Sequence, residues 1–540
     1  MASGFLREAR GNVRGTLGVL YDPVSVRARN ARAERLVLAA VAVLSILHCL
    51  FFFNSANEDG YISLGYARRW VEGCGLSLND VAPSEGYSNP LWVALLAMGM
   101  KLGLGGLLTA KLLGVTCATA TSMLAARLAR ACGGTPCVQG AAGIFSATAT
   151  PLASWSVLGL ETPLYALEIV VLALSALRLR RRRGLVLFAM TGGAIALTRP
   201  EGVIVVLGLC LSLLWIRRSR RCRRHLLWAV LLILLVVYAH QQFRLGYFGG
   251  VVCNSMLHKW HPLATSGFVA RGLFRLHMLT LFYWSTTSFA VWLVLALPLI
   301  PRRFRRRVAP SALLLVALVS FHILVGGDIC PYFRFLAPAC VLAGVFLALS
   351  TQIAASFGSW LRYLRAVGPC LAVVLGLHGS YRMLRVFPVA DHFYKSPSVS
   401  SPSVHAEVAR WLEKHSHPGD RILLSEMGRI PFESGLPCFD YLGLTDRFMY
   451  GAWLQYYPER YDQHRPRFLV LRHIAMQTDQ EAGPRMPPEE KIVSQPGFNE
   501  KFEVVARFRA VKTRSLMDFC YYWARADVRE LCLVVYRRAP

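Results

Sequence analysis

The chain has 540 residues, 54% of them hydrophobic, with a mean hydropathy of +0.41. Long apolar runs alternating with arginine clusters exclude an ordinary soluble protein. The 60 Lys and Arg against 31 Asp and Glu give a formal charge of +29, but the arginines gather in short loops between apolar runs, as in cytoplasmic loops of membrane proteins, so nucleic-acid binding is not expected. The fourteen cysteines form no CxxC pair and no Cys/His metal spacing and suit small apolar filling within spans.

At the amino end Arg7, Arg10, Arg14, Arg27, Arg29, Arg32 and Arg35 precede an apolar run at 36–53 that is long enough to cross a bilayer. Residues 1–35 are therefore expected to stay in the cytoplasm, and the long basic lead without a small-residue cleavage site argues against a cleaved signal peptide. Clusters at 178–183, 217–224 and 302–307 pin three further cytoplasmic loops. With those pins, spans are predicted near 36–53, 107–126, 139–158, 163–178, 184–199, 201–216, 226–243, 279–300, 309–325, 331–351 and 360–380, about eleven crossings. The fourteen-residue run 91–104 is short for a span, and counting it would turn later arginine clusters outward, so it is read as interfacial or re-entrant.

This arrangement sends five charged segments to the outer face. The first, 54–90, carries adjacent carboxylates Glu58 and Asp59 at the mouth of a helix, then Glu85, Tyr87 and Asn89. The others hold Glu161 in GLETPLY, Arg199 and Glu201 in LTRPEG, Arg244, Asn254 and Lys259 in the segment 244–262, and Asp328 and Arg334 in GGDICPYFRF. Charged groups this close to a bilayer are costly, and their convergence on one side implies a shared cavity. Each also has a plainer reading: Glu58 and Asp59 as helix caps, Pro163 and Pro200 as helix starts, Gly86, Asn89 and Pro90 as turn formers, the rest as snorkelling groups.

Past about Pro388 hydropathy falls, Ser and Pro cluster in SPSVSSPSV, and a soluble domain is expected to begin. SVHAEVARWLEKH places Val404, Val408, Trp411 and Leu412 on one helical face behind Ser403 as N-cap. The short apolar runs RILLSE, RFLVLRH, FEVVARF and LCLVVYR are predicted strands of a small α/β domain, 388–540, which an odd number of crossings puts outside the membrane. Cys438, Cys520 and Cys532 would then lie in an oxidising compartment where a disulfide is open but not deducible.

The series EDGYIS, EGYSNPLW, GLETPLY, LTRPEG, YFGGVVCNSMLHKW, GGDICPYFRFLAP and GRIPFESGLPCFDYLGLTD, in that order between about residues 54 and 446, resembles the bacterial arabinofuranosyltransferase-like family, which includes terminal β-1,2-arabinofuranosyltransferases. The resemblance implies a GT-C fold over 36–387 and transfer of a sugar from a polyprenyl-phosphate donor to a cell-envelope glycan or lipid-linked acceptor on the outer face of the cytoplasmic membrane. It makes Asp59 the general base, with Glu58 where many relatives have another Asp. Asp328, Arg334, Phe335 and Pro338 fit the family's Gly-Gly-Asp to Arg-Phe-x-x-Pro stretch.

Inverting transfer needs a carboxylate within reach of the acceptor hydroxyl, and the departing phosphate needs positive charge. Arg334, Arg199, Arg244 and Lys259 are the ranked candidates for that charge; Glu161, Glu201, Glu85, Tyr87, Asn89, Asn254 and Asp328 are candidates to line the sugar. Two departures stand out. Gly65 replaces the family's Arg, with Arg68 and Arg69 one turn on as possible substitutes, and Cys253, Asn254 and Ser255 replace Pro-Asn-Thr. No metal is required, since Glu58 and Asp59 alone offer too few ligands, although the resemblance leaves Mg or Mn open. Rival readings are a flippase of lipid-linked saccharides, against which no internal repeat is visible, and a non-catalytic envelope scaffold.

Overall fold

The structure, a computed structural model, describes residues 23–80, 83–216, 219–259, 273–274, 276–277, 302–325, 331–354, 363–386, 403–446, 465–476, 483–484, 487–511 and 528–539. Five helical stretches among them are long and apolar enough to cross a bilayer: Arg32–Phe51, Gly106–Ala131, Arg220–Phe248, Phe304–Leu324 and Tyr332–Ala354. Shorter apolar helices Thr162–Ala176 and Gly202–Ile216 pack among them. The predicted span 279–300 lies outside the described residues.

The bundle closes on small side chains. In the helix Gly106–Ala131, Ala110, Gly114, Ala118, Ala125 and Ala129 are buried, and a Cβ on Gly114 would stand 1.8 Å from the Ser156 carbonyl oxygen. Such small residues let helix backbones approach closely where lipid supplies no hydrophobic drive.

Two predicted elements differ. The span expected at 139–158 is two helices, Pro136–Thr148 and Thr150–Trp155, broken at Ala149, whose ψ of 107° is extended; Pro151 then opens the second helix, having no N–H to offer the first. The span expected at 331–351 opens with a 3₁₀ turn, Pro331–Leu336, and becomes α-helical only at Ala337–Ala354. Within that turn Tyr332 and Phe333 have φ of 56° and 52°, left-handed backbone that costs an L-residue about 1–3 kcal/mol. The run 91–104 forms the helix Pro90–Lys101, about 18 Å long at 1.5 Å per residue and well short of a bilayer core.

Residues 403–538 contain a mixed sheet of order β2-β1-β3-β6-β5, with β4 (Gly483–Pro484) on β3. β1 (Ile422–Leu424) lies parallel to both β2 (Cys438–Asp440) and β3 (Phe468–Met476), whereas β6 (Val528–Arg538) runs antiparallel to β3 and to β5 (Phe502–Val511). The helix Val404–His415 covers one face: Ser403 Oγ accepts from His405 N, and Val404, Val408 and Leu412 are fully buried, each contributing about 1.5–3 kcal/mol. Alternation then puts Ile422, Leu424, Phe468 and Val470 in one cluster with Tyr61, Leu64 and Trp92, while Leu423, Phe439, Leu469 and Leu471 form a second core on the opposite face. The short helix Arg429–Ser434, which follows β1, packs on the helix Glu58–Val71. Cys438 and Cys532 are buried in these separate cores, and Cys520 lies outside the described residues.

Candidate active site

Asn57 caps the helix Glu58–Val71, its side chain accepting from Asp59 N at 2.9 Å, so neither carboxylate is the cap. Asn57 N donates to the Leu158 carbonyl at 3.1 Å, and a Cβ on Gly60 would stand 2.8 Å from that same oxygen. The helix start is therefore seated against the turn that leads to Glu161. Asp59 Oδ2 lies 3.8 Å from Arg334 Nη1; the Asp59 side chain is 48% exposed and that of Arg334 only 8%. Among the described acidic groups of the predicted site, this one combines access with a facing guanidinium.

Glu58 does something else. Its Oε1 accepts from Gly428 N at 3.1 Å and Arg429 N at 2.7 Å, and burial pushes its carboxyl up to about 7. The expectation that it stands beside Asp59 as a second reactive carboxylate meets a side chain engaged with the C-terminal sheet region.

A second cluster surrounds Arg199. Its Nη1 donates to Glu161 Oε1 at 3.0 Å, and its Nε to Glu201 Oε1. Asn89 Nδ2 donates to Glu161 Oε2 at 2.8 Å, and Ser63 Oγ to Asn89 Oδ1 at 3.2 Å. The Phe335 ring lies 4.5 Å from the Arg199 guanidinium and 5.0 Å from that of Arg334, so one aromatic face links the two cations. Trp155 adds a second ring 5.6 Å from Arg334.

The third cluster is a bidentate pair: Arg244 Nε to Glu85 Oε2 at 2.6 Å and Nη2 to Oε1 at 3.1 Å. Burial raises the Glu85 carboxyl while Arg244 pulls it back. Asn254 braces this segment, its N donating to the Glu85 carbonyl at 2.9 Å and its Nδ2 to Ser84 Oγ at 2.8 Å. Tyr87 is buried edge-on against Tyr66 at 4.8 Å, so it is packing rather than an open wall. Lys259 ends the short helix Asn254–Lys259 with its side chain outside the described residues, as is the whole of Asp328.

Arg68 and Arg69 do not replace the arginine missing at 65. Arg69 donates to the carbonyls of Ser77 and Asn79 at 2.6 and 3.1 Å, and Arg68 to that of Phe432. A Cβ at Gly65 would meet Leu78 Cδ2 at 2.9 Å, so a side chain there would have to move that methyl group. Asp440 holds its own turn, accepting from Leu442 N and Thr445 N at 2.9 Å each, and burial raises its carboxyl to about 7. That turn covers the EGYSNP segment, where a Gly86 Cβ would stand 2.8 Å from Thr445 Cα. His405 and Glu426, beside Glu58, were invisible to motif reading because they lie some 350 residues along the chain; only His405 on a helix start gave any local signal.

Residues 392–526 match a family described as a domain of unknown function (DUF8728). No protein of curated function matches the chain in sequence. Among solved structures, ArnT from Cupriavidus metallidurans in the apo state superposes with a TM-score of 0.57 at 15% identity, over 92% of this chain and 97% of that one. The same protein bound to undecaprenyl phosphate gives 0.52 at 14% identity with the same coverage. The oligosaccharyltransferase of Archaeoglobus fulgidus in complex with Zn and sulfate gives 0.50 at 11% identity, over 80% and 67% of the two chains. These structures are GT-C glycosyltransferases. Taken with its apolar helices, the likeness makes this chain an integral membrane protein of the GT-C fold.

Proposed function

We propose that the protein is an inverting glycosyltransferase that moves a sugar from a polyprenyl-phosphate donor to a cell-envelope glycan or lipid-linked acceptor. The observation that carries this reading is the half-exposed Asp59 carboxylate facing the buried Arg334 guanidinium at 3.8 Å. Asp59 takes the proton of the acceptor hydroxyl as that oxygen attacks the anomeric carbon from the face opposite the phosphate. The bond from the anomeric carbon to the phosphate oxygen breaks, and the polyprenyl phosphate leaves with the electron pair. Arg334, stacked on the Phe335 ring, meets the developing negative charge. The ArnT complex with undecaprenyl phosphate supports a lipid-phosphate donor, and the motif series from EDGYIS to GLPCFDYLGLTD supports arabinofuranose as its sugar. On the same reading the chain crosses the cytoplasmic membrane about eleven times, with the site and residues 388–540 on the outer face.

The test is transfer in membranes containing wild type or Asp59→Asn at matched protein level, supplied with a set of radiolabelled polyprenyl-phosphate sugars. Transfer of one sugar by wild type and its loss in the variant support enzyme class, donor and base together. Equal transfer by both proteins removes Asp59 from the mechanism, and no transfer from any donor overturns the reading.

A further inference from the structure

Three groups from separate parts of the chain meet where the helix Glu58–Val71 touches the sheet region. Glu58 comes from the first turn of that helix, His405 from the first turn of Val404–His415, and Glu426 from the loop after β1. One donor atom from each lies within 4.8 Å of the other two. His405 Nε2 and Glu426 Oε2 are already 3.4 Å apart, about the spacing of two ligands each held roughly 2.1 Å from a tetrahedral ion. Little side-chain rotation separates this arrangement from a three-ligand shell.

The surroundings orient these donors individually. Gly428 N and Arg429 N hold one oxygen of Glu58, Arg472 Nη1 holds Glu426 Oε1 at 3.2 Å, and Ser403 Oγ lies 3.5 Å from His405 Nδ1, turning Nε2 toward the carboxylates. Outer contacts of this kind fix ligand orientation in metal centres. Gly428 is required for the approach, since a Cβ there would stand 2.7 Å from Glu58 Oε1. The arginines nearby have carboxylate partners of their own: Arg472 Nε donates to Glu489 at 2.9 Å and Arg429 Nε to Glu433 at 2.6 Å. A dication among the three donors would leave the Arg472–Glu489 and Arg429–Glu433 contacts in place.

We propose that Glu58, His405 and Glu426 bind one divalent transition cation of the zinc or manganese kind, clamping the helix that carries Asp59 to the C-terminal sheet. The mixed nitrogen and oxygen donors favour such an ion over magnesium or calcium. The site stands on its own geometry and does not depend on the transferase reading.

The experiment uses tag-free, full-length protein in detergent, stripped with a chelator and then titrated separately with zinc and manganese. Bound metal is counted by elemental analysis, and affinity and melting temperature are measured. Wild type and Asp59→Asn are expected to bind one equivalent and to melt at higher temperature with it. His405→Gln and Glu426→Gln, each checked for monodispersity, are expected to bind at least tenfold more weakly; Glu58→Gln substitutes if either fails to fold. No stoichiometric binding by wild type, or equal binding by the folded variants, overturns the proposal and leaves a hydrogen-bonded cluster. Preference for magnesium or calcium overturns the assigned ion class. Because the readout is metal content, these results are independent of whether any sugar is transferred.

Discussion

Arg199 and Arg334 are both buried, both lie over the Phe335 ring, and occupy opposite electrostatic situations. Arg199 is closed on two sides by Glu161 and Glu201, and Glu161 is itself held by Asn89. Arg334 faces Asp59 at 3.8 Å, longer than a charge-assisted hydrogen bond, across a carboxylate that is nearly half exposed, and it is delivered there by a strained left-handed turn. A cation enclosed between two buried carboxylates serves as framework; one that faces a half-exposed carboxylate stands beside a group a ligand can reach. Strain beside the second and not the first points the same way.

The sharpest break of that contrast is Asp59→Asn, expected to slow transfer about 10²–10⁴-fold with little change in donor binding, read from initial rates and donor titration. Arg334→Ala should slow transfer about 10²–10³-fold while melting close to wild type. Arg199→Leu should do the converse, because it strands Glu161 and Glu201 without their cation and costs about 3–5 kcal/mol of stability, seen as a large fall in melting temperature. If Arg199→Leu stays stable and only activity falls, the framework reading of that cluster is lost. Gly65→Arg, which restores the family residue, is expected to cost about 1–3 kcal/mol by driving Leu78 aside; unchanged melting with full activity would show that the site accommodates both arrangements.

The smallest effect concerns Asp440, whose folded carboxyl sits near 7 against an ordinary 3.8. The folded chain thus keeps a proton that the unfolded chain releases, so this contribution to stability is complete below the ordinary value and drains as pH rises through about 7. Melting temperature should decline over that window in wild type and decline less in Asp440→Asn. Parallel curves for the two proteins would remove Asp440 as a source of the pH dependence.

Helices announced by uninterrupted apolar runs, such as 36–53 and 226–243, were legible because length and flanking arginines are local signals. So were the Ser403 cap and the buried face Val404, Val408 and Leu412. The break at Ala149 was passed over although Pro151 marks it locally, and left-handed backbone at Tyr332 and Phe333 is not announced by residues of those types. Reading Glu58 and Asp59 as one chemical unit ran against helix geometry: successive residues point about 100° apart, and the two carboxylates look toward the sheet and toward Arg334 respectively. The partners of Glu58 lie some 350 residues further along, beyond the reach of any motif.

Gly60 sets a mechanical tolerance. Its Cβ position is filled by the Leu158 carbonyl, so the gap between the Asp59 backbone and the turn before Glu161 is gauged by the absence of one carbon atom. Adding that atom would lift the helix start by some tenths of an ångström. Misplacement of a reacting group by about 1 Å is enough to cost two orders of magnitude in rate, so a single methyl group at residue 60, remote from any bond that breaks, would act as a shim that detunes the site.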